Sequence, residues 1–309
     1  MTYPDERFTR NFTGEGKDPL LSSEEKTNKP GERPGAQHKL DVAPIDDIYA
    51  NGKPYKGADK LAGKSAWISG GDSGIGRATA ILFAIEGAEV AISYIPGEQK
   101  DAEDTKSYIK NKTGKEIVLL PADLKSEQAT IEVIDKAAKA FGGKIDILVN
   151  NAAQQLENHN IEELDSKQWE DAFQLNIHSY FYASKAALKY MPKGSSIINM
   201  ASVNAFIGRP DLLDYTSTKG AIISFNRGLS NQIVGERQIR VNAIAPGPVW
   251  TPLVPSTFSK DNISAFDSTS MGRPGQPVEI ATVCVFLAAE DSSMISGQTI
   301  HANGGIPLS

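Results

Sequence analysis

From about residue 60 onward, short apolar runs alternate with longer stretches whose apolar residues recur at helical spacing. KSAWIS (64–69), AEVAISY (88–94), KEIVLLPADL (115–124), KIDILVNNAA (144–153), SSIINMAS (195–202), IRVNAIAPGPV (239–249) and GQTIHA (297–302) read as strands. Between them GRATAILFAIEG (76–87), DAEDTKSYIKNKTG (101–114) and EQATIEVIDKAAKAFGG (127–143) read as helices closed by glycine. Further helices are expected over about 166–190, from about Tyr215 to about 236, and near 277–289. Apolar strands separated by helices need both faces of a parallel sheet covered. Right-handed crossovers then wind the chain outward in both directions. The expected fold is α/β, a Rossmann-type doubly wound parallel sheet of seven strands with helices on both faces.

Residues 1–58 depart from this pattern. They hold Pro4, Pro19, Pro30, Pro34, Pro44 and Pro54, many charges, and no sustained apolar period. Such a segment buries too little to order itself alone. Tyr3, Phe8, Phe12, Ile45, Ile48, Tyr49 and Tyr55 offer scattered anchors along a folded surface. The expected organisation is an extended, Pro-rich arm over 1–58 and one domain over 59–309. For residues 30–58 a docked arm and a disordered tail both remain open; before residue 30 disorder is expected. Deleting the arm is expected to weaken assembly and leave the chemistry of the domain in place.

Composition narrows the function classes. With 38 acidic against 32 basic residues, the net charge is -6. That charge gives no electrostatic reason to expect nucleic acid or an anionic membrane as partner. Cys284 is the one cysteine, so no internal disulfide forms and a reducing, cytoplasmic setting is expected. Its apolar neighbours make it core packing. No apolar run has the length of a membrane span, and MTYPDERFTRNFTGEG lacks the apolar stretch of a secretory signal. His38, His159, His178 and His301 have no metal-ligand spacing, so no metal site is expected.

The first strand runs directly into ISGGDSGIGRATA. A glycine turn between strand and helix keeps side chains away from a pyrophosphate, whose charge rests on the helix N-terminal N–H groups. The spacing Gly70-xxx-Gly74-x-Gly76 is wider than G-x-G-x-x-G. It resembles the cofactor turn of the short-chain dehydrogenase/reductase family, with Ser69 where Thr is commoner. NNAA (150–153) is similar to that family's Asn-Asn-Ala-Gly motif, with Ala153 replacing the usual Gly. PADL resembles the segment whose Asp, here Asp123, holds the adenine, and APGPVWTP resembles the Pro-Gly motif after the sixth strand. The resemblance covers about 60–309 with its motifs in family order. The arm, GGDSGIGRA and IHANGG together look like the subgroup of bacterial general-stress oxidoreductases and glucose/ribitol dehydrogenase-like proteins. The resemblance implies a dinucleotide-binding catalytic domain with NADP or NAD as cofactor. It places cofactor contacts at Gly70, Ser73, Gly74, Ile75, Gly76 and Tyr94; at Asp123, Leu124, Asn151, Ala152 and Ala153; at Tyr215 and Lys219; and at Pro246, Gly247, Val249 and Thr251.

In DLLDYTSTKGAIISF (211–225), Tyr215 and Lys219 stand one helical turn apart on one face. Ser202 ends the fifth strand, where ligands sit in this architecture. A free phenol, pKa about 10, is a poor base at neutral pH. An ammonium about 4 Å away, at an effective dielectric of ~20, favours the phenolate by about 4 kcal/mol, or roughly three pKa units. The phenol then suits acid–base catalysis near neutrality, and Ser202 would hydrogen-bond the substrate oxygen. The resemblance implies that Lys219 also binds the nicotinamide ribose. It further implies that Asn176, in FQLNIHSYF, holds a relay water at a helix irregularity. Asn176, Ser202, Tyr215 and Lys219 are the expected catalytic residues; Tyr180, Phe181 and Tyr182 read as packing.

The end of the second strand, AISYIPGEQ, carries Tyr94 and Ile95, neither an acid for a ribose 2′-hydroxyl nor a base for a 2′-phosphate. In the resembled family Ser73 stands where many NADP users carry a basic residue. NADP is favoured slightly, because no acid at that strand end repels the phosphate. The long polar segment after the sixth strand suits a mobile lid, and Trp250 within it is either a pocket wall or packing. Gln154, Gln155 and Asn204 suit a small polar substrate: an aldehyde, sugar or polyol. Alternatives are a reductase of a bulkier secondary-metabolite ketone and a nucleotide-sensing protein without turnover. Ile222, Ile223, Phe225 and Leu229 exceed one sheet-facing stripe and suggest a subunit interface. The resemblance extends this to a homotetramer.

Overall fold

The structure is a computed structural model, and it describes residues 6–8, 35–40, 42–257 and 269–308. Seven strands form one sheet: β1 (Ser65–Ser69), β2 (Glu89–Tyr94), β3 (Val118–Pro121), β4 (Ile147–Asn150), β5 (Ser196–Met200), β6 (Arg240–Pro246) and β7 (Thr299–Ala302). Their order is β3-β2-β1-β4-β5-β6-β7 and every pairing is parallel. The chain winds outward from β1 on one side and from β4 on the other. The crevice between them opens at the strands' C-terminal ends.

The two-residue period of the strands sorts their side chains onto two cores. Ala66, Ile68, Val90, Ile92, Ile147 and Val149 face helices α1 (Gly74–Ile85), α2 (Gln99–Thr113) and the C-terminal helix Pro277–Ala288. Trp67, Ala91, Leu148, Ile197 and Val241 face the opposite layer. That layer contains α3 (Glu127–Ala140), α4 (Ser166–Phe173), α5 (Ser179–Ala187) and α7 (Leu213–Arg237). The short helices α6 (Asn204–Ile207) and α8 (Leu253–Thr257) follow β5 and β6, and the C-terminal helix is α9. Cys284 lies on α9 in the first core, and burial pushes its thiol up to about 12, consistent with packing.

A ladder of buried amides ties the second half of the sheet to α7. Asn150 donates to Asn199 (2.9 Å), Asn199 to Asn226 (3.1 Å), and Asn226 to the Gln298 carbonyl (3.2 Å). Each link satisfies a polar group that would be costly to leave unpaired in an apolar interior.

Several elements are shorter than the sequence pattern suggests. The third strand occupies 118–121 of the strand and exit read over 115–124, and the fourth only 147–150 of 144–153. The expected helix over 166–190 is broken by a π-helical segment, Gln174–His178, between α4 and α5. The arm's residues 35–58, as far as described, lie on the folded surface. Ile45 is buried; its N–H donates to Gln276 Oε1 (3.0 Å) and its carbonyl accepts from Val278 N–H (3.0 Å). Tyr55 donates to the buried Glu86 carboxylate, which also accepts from the N–H groups of Ala58 (2.9 Å) and Lys60 (3.0 Å). Phe8 is buried in the same core. Tyr3 and Phe12 lie outside the described residues, as do most of the residues before 30, where disorder is the expectation, and the middle of the expected lid, 258–268.

Candidate active site

β1 delivers the chain to the glycine turn. Gly70 (φ +62°) and Gly74 (φ +50°) occupy the left-handed region, which side-chain-bearing residues resist. Gly76 answers a different need. A Cβ there would stand 1.9 Å from the Gly70 carbonyl oxygen, so its absence lets α1 close against the turn. Ser69 ties this end of β1 to the end of β4. Its Oγ accepts from the N–H groups of Asn151 (2.8 Å) and Ala152 (3.0 Å). Asn151 Nδ2 donates back to the carbonyls of Ser69 (2.9 Å) and Gly70 (3.2 Å).

One cleft runs from this turn along the strand ends, enclosing about 1500 Å³ of empty space including its open mouth. Gly70, Ser73, Gly74 and Ile75 wall it at the turn. Tyr94 and Leu124 line it beside β2 and β3; Asn151, Ala152 and Ala153 line it below β4. Pro246, Gly247, Val249 and Thr251 close it after β6, and Ser202, Tyr215 and Lys219 stand at its far end. Two expected cofactor contacts, Gly76 and Asp123, and the expected catalytic residue Asn176 do not line the wall. Gly76 is spent on packing, Asn176 lies behind the surface, and Asp123 Oδ1 accepts from the Lys125 N–H (3.2 Å) while the flanking Ala122 and Leu124 face the cleft. Gln155 and Asn204 also line the cleft, whereas Gln154 does not. Trp250 is packing: it is buried, and its indole N–H donates to the Val42 carbonyl of the arm (3.1 Å).

The far end is built from β5 and α7. Asp214, a buried acid in the first turn of α7, accepts from the Tyr215 N–H (2.7 Å) and from Gln168 Nε2 (2.9 Å). That carboxylate complements the positive end of the helix and fixes where Tyr215 begins. The Tyr215 phenol and Ser202 line the same end of the cleft, and Ser202 Oγ accepts from the Asn204 N–H (3.1 Å). Lys219, one turn on, is only 1% exposed. Its Nζ donates to the Met200 carbonyl (2.7 Å) and lies over the rings of Tyr215 (5.3 Å) and Tyr180 (5.8 Å). Asn176, wholly buried in the π-helical segment, accepts from the Gln154 N–H (2.8 Å). Its Nδ2 donates to the Gln154 carbonyl (2.9 Å) and to Thr218 Oγ1 (3.0 Å), next to Lys219.

The electrostatics differ from the sequence expectation. Burial pushes the Tyr215 phenol up to about 12, the Ser202 hydrogen bond pulling the other way. Burial likewise pulls the Lys219 ammonium down to about 7. Each charged form loses more from leaving water than its surroundings return, so the phenol is not acidified toward neutrality.

Several lining residues carried no sequence signal of their own. Asp72 sits inside the glycine turn and is 2% exposed, with burial raising its carboxyl to about 6 and the Asp101 charge adding to the rise. Its Oδ2 has no hydrogen-bond partner among the described residues. Glu98 lines the cleft beside Tyr94. The premise that no acid stands near the end of β2 is therefore corrected: two do. Arg209 lines the substrate end and is paired with Asp211 (2.7 Å). Gly35, from the arm, lines the opposite end. Among the described residues no group of His, Cys, Asp and Glu is arranged to hold a metal, and no helix is long and apolar enough to cross a membrane.

Residues 70–307 match the family model described as Enoyl-(Acyl carrier protein) reductase. NADPH-dependent aldehyde reductase 1, chloroplastic, of Arabidopsis thaliana is 47% identical over 279 residues, spanning 88% of this chain and 95% of that protein. Glucose and ribitol dehydrogenase of Daucus carota is 47% identical over 279 residues, spanning 88% and 94%. Among solved structures, a short chain dehydrogenase from Burkholderia cenocepacia J2315 in complex with NADP superposes with a TM-score of 0.74 at 29% identity, over 80% of this chain and 98% of that one. The extent of these matches makes the chain, with its seven-stranded parallel sheet, a member of the short-chain dehydrogenase/reductase family of oxidoreductases.

Proposed function

We propose that the protein is an NADP- or NAD-dependent oxidoreductase that interconverts alcohol and carbonyl groups on a small polar substrate, an aldehyde, sugar or polyol. Ser202, Tyr215, Lys219 and Asn176 form its proton-handling site in this reading. One observation carries it: Ser202, Tyr215 and a buried Lys219 stand in the same cleft as a glycine turn at a helix N-terminus. The cleft fits a dinucleotide. One end offers first-turn N–H groups for phosphates, and Asp72 Oδ2 there lacks a donor among the described residues. NADP is the favoured form, supported by the NADPH-dependent name of the Arabidopsis relative and the NADP complex of the Burkholderia structure.

When bound, the nicotinamide gives or takes the hydride. The chain handles the proton. Ser202 hydrogen-bonds the substrate oxygen, and the Tyr215 hydroxyl donates its proton to that oxygen as a carbonyl is reduced, or accepts it as an alcohol is oxidised. Lys219, held by the Met200 carbonyl, stabilises the phenolate left behind. Asn176 fixes the segment before α5 against Thr218 and so holds Lys219's turn of α7 in place. Gln155, Asn204 and Arg209 at the substrate end give hydroxyl groups polar partners. The names of the Arabidopsis and carrot relatives agree with a small aldehyde or sugar substrate.

The test is a titration with NADPH and NADH by fluorescence, then a substrate panel with the better binder. Faster turnover of small aldehydes and sugars than of aromatic ketones is expected. The reverse order would transfer the assignment to bulkier ketones, and binding without any turnover would make the protein a sensor.

The protein is also proposed to assemble as a homotetramer. Ile222 and Ile223 are consumed by the chain's own core, so the interface argument now rests on Phe181, 46% exposed on α5, and on the half-buried Phe225 and Leu229 of α7. Light scattering should report four subunits; a monomer at micromolar concentration would remove the proposal.

A further inference from the structure

The arm reaches the phosphate turn itself. Gln37, in a single 3-10 turn (Gln37–Lys39), accepts through Oε1 from the Gly74 N–H at 3.0 Å. Gly74 opens α1, and the residue before it, Ser73, makes no side-chain cap. The first N–H groups of a helix have no partner within it. Gln37 therefore supplies the cap of α1 from 37 positions earlier in the chain.

Two separate sets of bonds hold the arm there. The N–H groups of Gln37 (2.7 Å) and His38 (3.1 Å) donate to the carboxylate of Asp101, and the His38 ring nitrogen Nδ1 also meets it (2.7 Å). Asp101 is 1% exposed and lies in the first turn of α2. Farther along the arm, Asp46 pairs with Arg77 of α1 (2.9 Å). Arg77 donates to Thr105 Oγ1 (2.7 Å), and that hydroxyl donates to the carbonyl of Asp72 inside the glycine turn (3.0 Å). The arm thus grips the turn at Gly74 and at Asp72, while Gly35 forms part of the cleft wall. Asp72 Oδ2, buried in the same wall without a partner among the described residues, suits a donor carried beside the phosphates, such as a ribose hydroxyl.

We infer that Gln37 is a positioning residue for the cofactor phosphates, and that arm residues 35–38, clamped by Asp101, are a wall of the cofactor site. The inference rests on the function proposed above. A carboxamide suits the task because it occupies one N–H without setting a negative charge beside a pyrophosphate. With Gly74 taken, the turn is ordered before the cofactor arrives, and the next first-turn donors stay available to an anion. This replaces the expectation that the arm serves assembly alone.

The experiment uses the full chain and three forms: wild type, Gln37→Met, which keeps length and loses the acceptor, and Gln37→Glu, which keeps an acceptor oxygen. NADPH and NADH dissociation constants are read by fluorescence at about 0.05 M and about 0.5 M salt. Losing a helix cap should weaken binding of the preferred cofactor about fivefold in Gln37→Met at both salt concentrations. The kcat at saturating cofactor should stay unchanged, and the melting temperature should fall by no more than about 2–4 °C. Gln37→Glu keeps an acceptor but sets a charge beside the phosphates, so its loss of affinity should shrink as salt rises. Wild-type affinity in Gln37→Met, a fall in kcat without a change in affinity, or a Gln37→Glu loss that ignores salt would each overturn the inference. A wild-type chain that binds neither dinucleotide would instead overturn the function beneath it.

Discussion

Lys219 is a buried cation whose hydrogen bond is to a neutral carbonyl, and that arrangement costs stability in a way that pH exposes. Burial moves its pKa from 10.5 to about 7. Between those values the folded chain holds fewer protons at this site than the unfolded chain, so the Lys219 contribution to stability rises with pH across that window. Below about pH 7 the penalty is complete. At 1.36 kcal/mol per pKa unit, a shift of roughly 3.5 units gives about 5 kcal/mol. At pH 8 about 3 kcal/mol of it remains. The Tyr215 phenol, raised from 10 to about 12, adds an opposing slope only above about pH 9, where the unfolded phenol begins to ionise, and that slope is common to wild type and variant. Lys219→Met removes the charge at similar length. It forfeits the bond to the Met200 carbonyl, worth about 1 kcal/mol, although Tyr180 still reaches that oxygen (3.3 Å). The cofactor-free variant should therefore be more stable than wild type by about 2–4 kcal/mol near pH 6, with the gain closing toward pH 10. Urea unfolding of both proteins at pH 6, 7.5 and 9 measures it. A variant less stable than wild type at pH 6, or a difference that ignores pH, would refute the reasoning. The same substitution should abolish turnover, so this residue trades stability for function.

Gly76→Ala places a methyl 1.9 Å from the Gly70 carbonyl oxygen, and backbone cannot yield there cheaply. The turn must shift, and cofactor affinity should fall at least about tenfold by fluorescence titration, since 1.4 kcal/mol of misplacement suffices; unchanged affinity would show that α1 does not close on the turn. Ser69→Ala strands the N–H groups of Asn151 and Ala152, and should cost about 2–4 kcal/mol in urea unfolding, with Ser69→Thr near neutral because the hydroxyl remains. Equal losses in the two variants would assign the effect to packing.

The sheet was legible because each strand is buried on both faces and reads as an unbroken apolar run. Trp67 and its neighbours Ala66 and Ile68 face opposite cores, yet all three had to be apolar. The π-helical segment was not legible in the apolar period, and only the family resemblance implied an irregularity at Asn176. Widening one turn at 174–178 shifts the apolar stripe by a single residue, too little to break the period seen around it. The Tyr215–Lys219 pair followed from helical spacing, but its electrostatics did not, since burial of both groups depends on how β5 and α7 pack. Asp72 reads in sequence as an ordinary turn residue, and only the packed cleft reveals its unpartnered oxygen. The arm escaped for a related reason. Its docking uses long-range polar bonds, Gln37 to Gly74, Asp46 to Arg77 and Tyr55 to Glu86, which leave no periodic trace.

Central to the account is the Tyr215 hydroxyl as the group that passes the proton in the cleft holding the cofactor. Tyr215→Phe keeps the ring and deletes that oxygen. Single-turnover oxidation of bound NADPH by an aldehyde, followed by nicotinamide absorbance, compares the two proteins directly. The variant should bind cofactor within about twofold of wild type and transfer hydride slower by a factor of about 10²–10⁴, the usual worth of a positioned acid. Hydride transfer within about threefold of wild type would contradict the assignment and move the proton to another group.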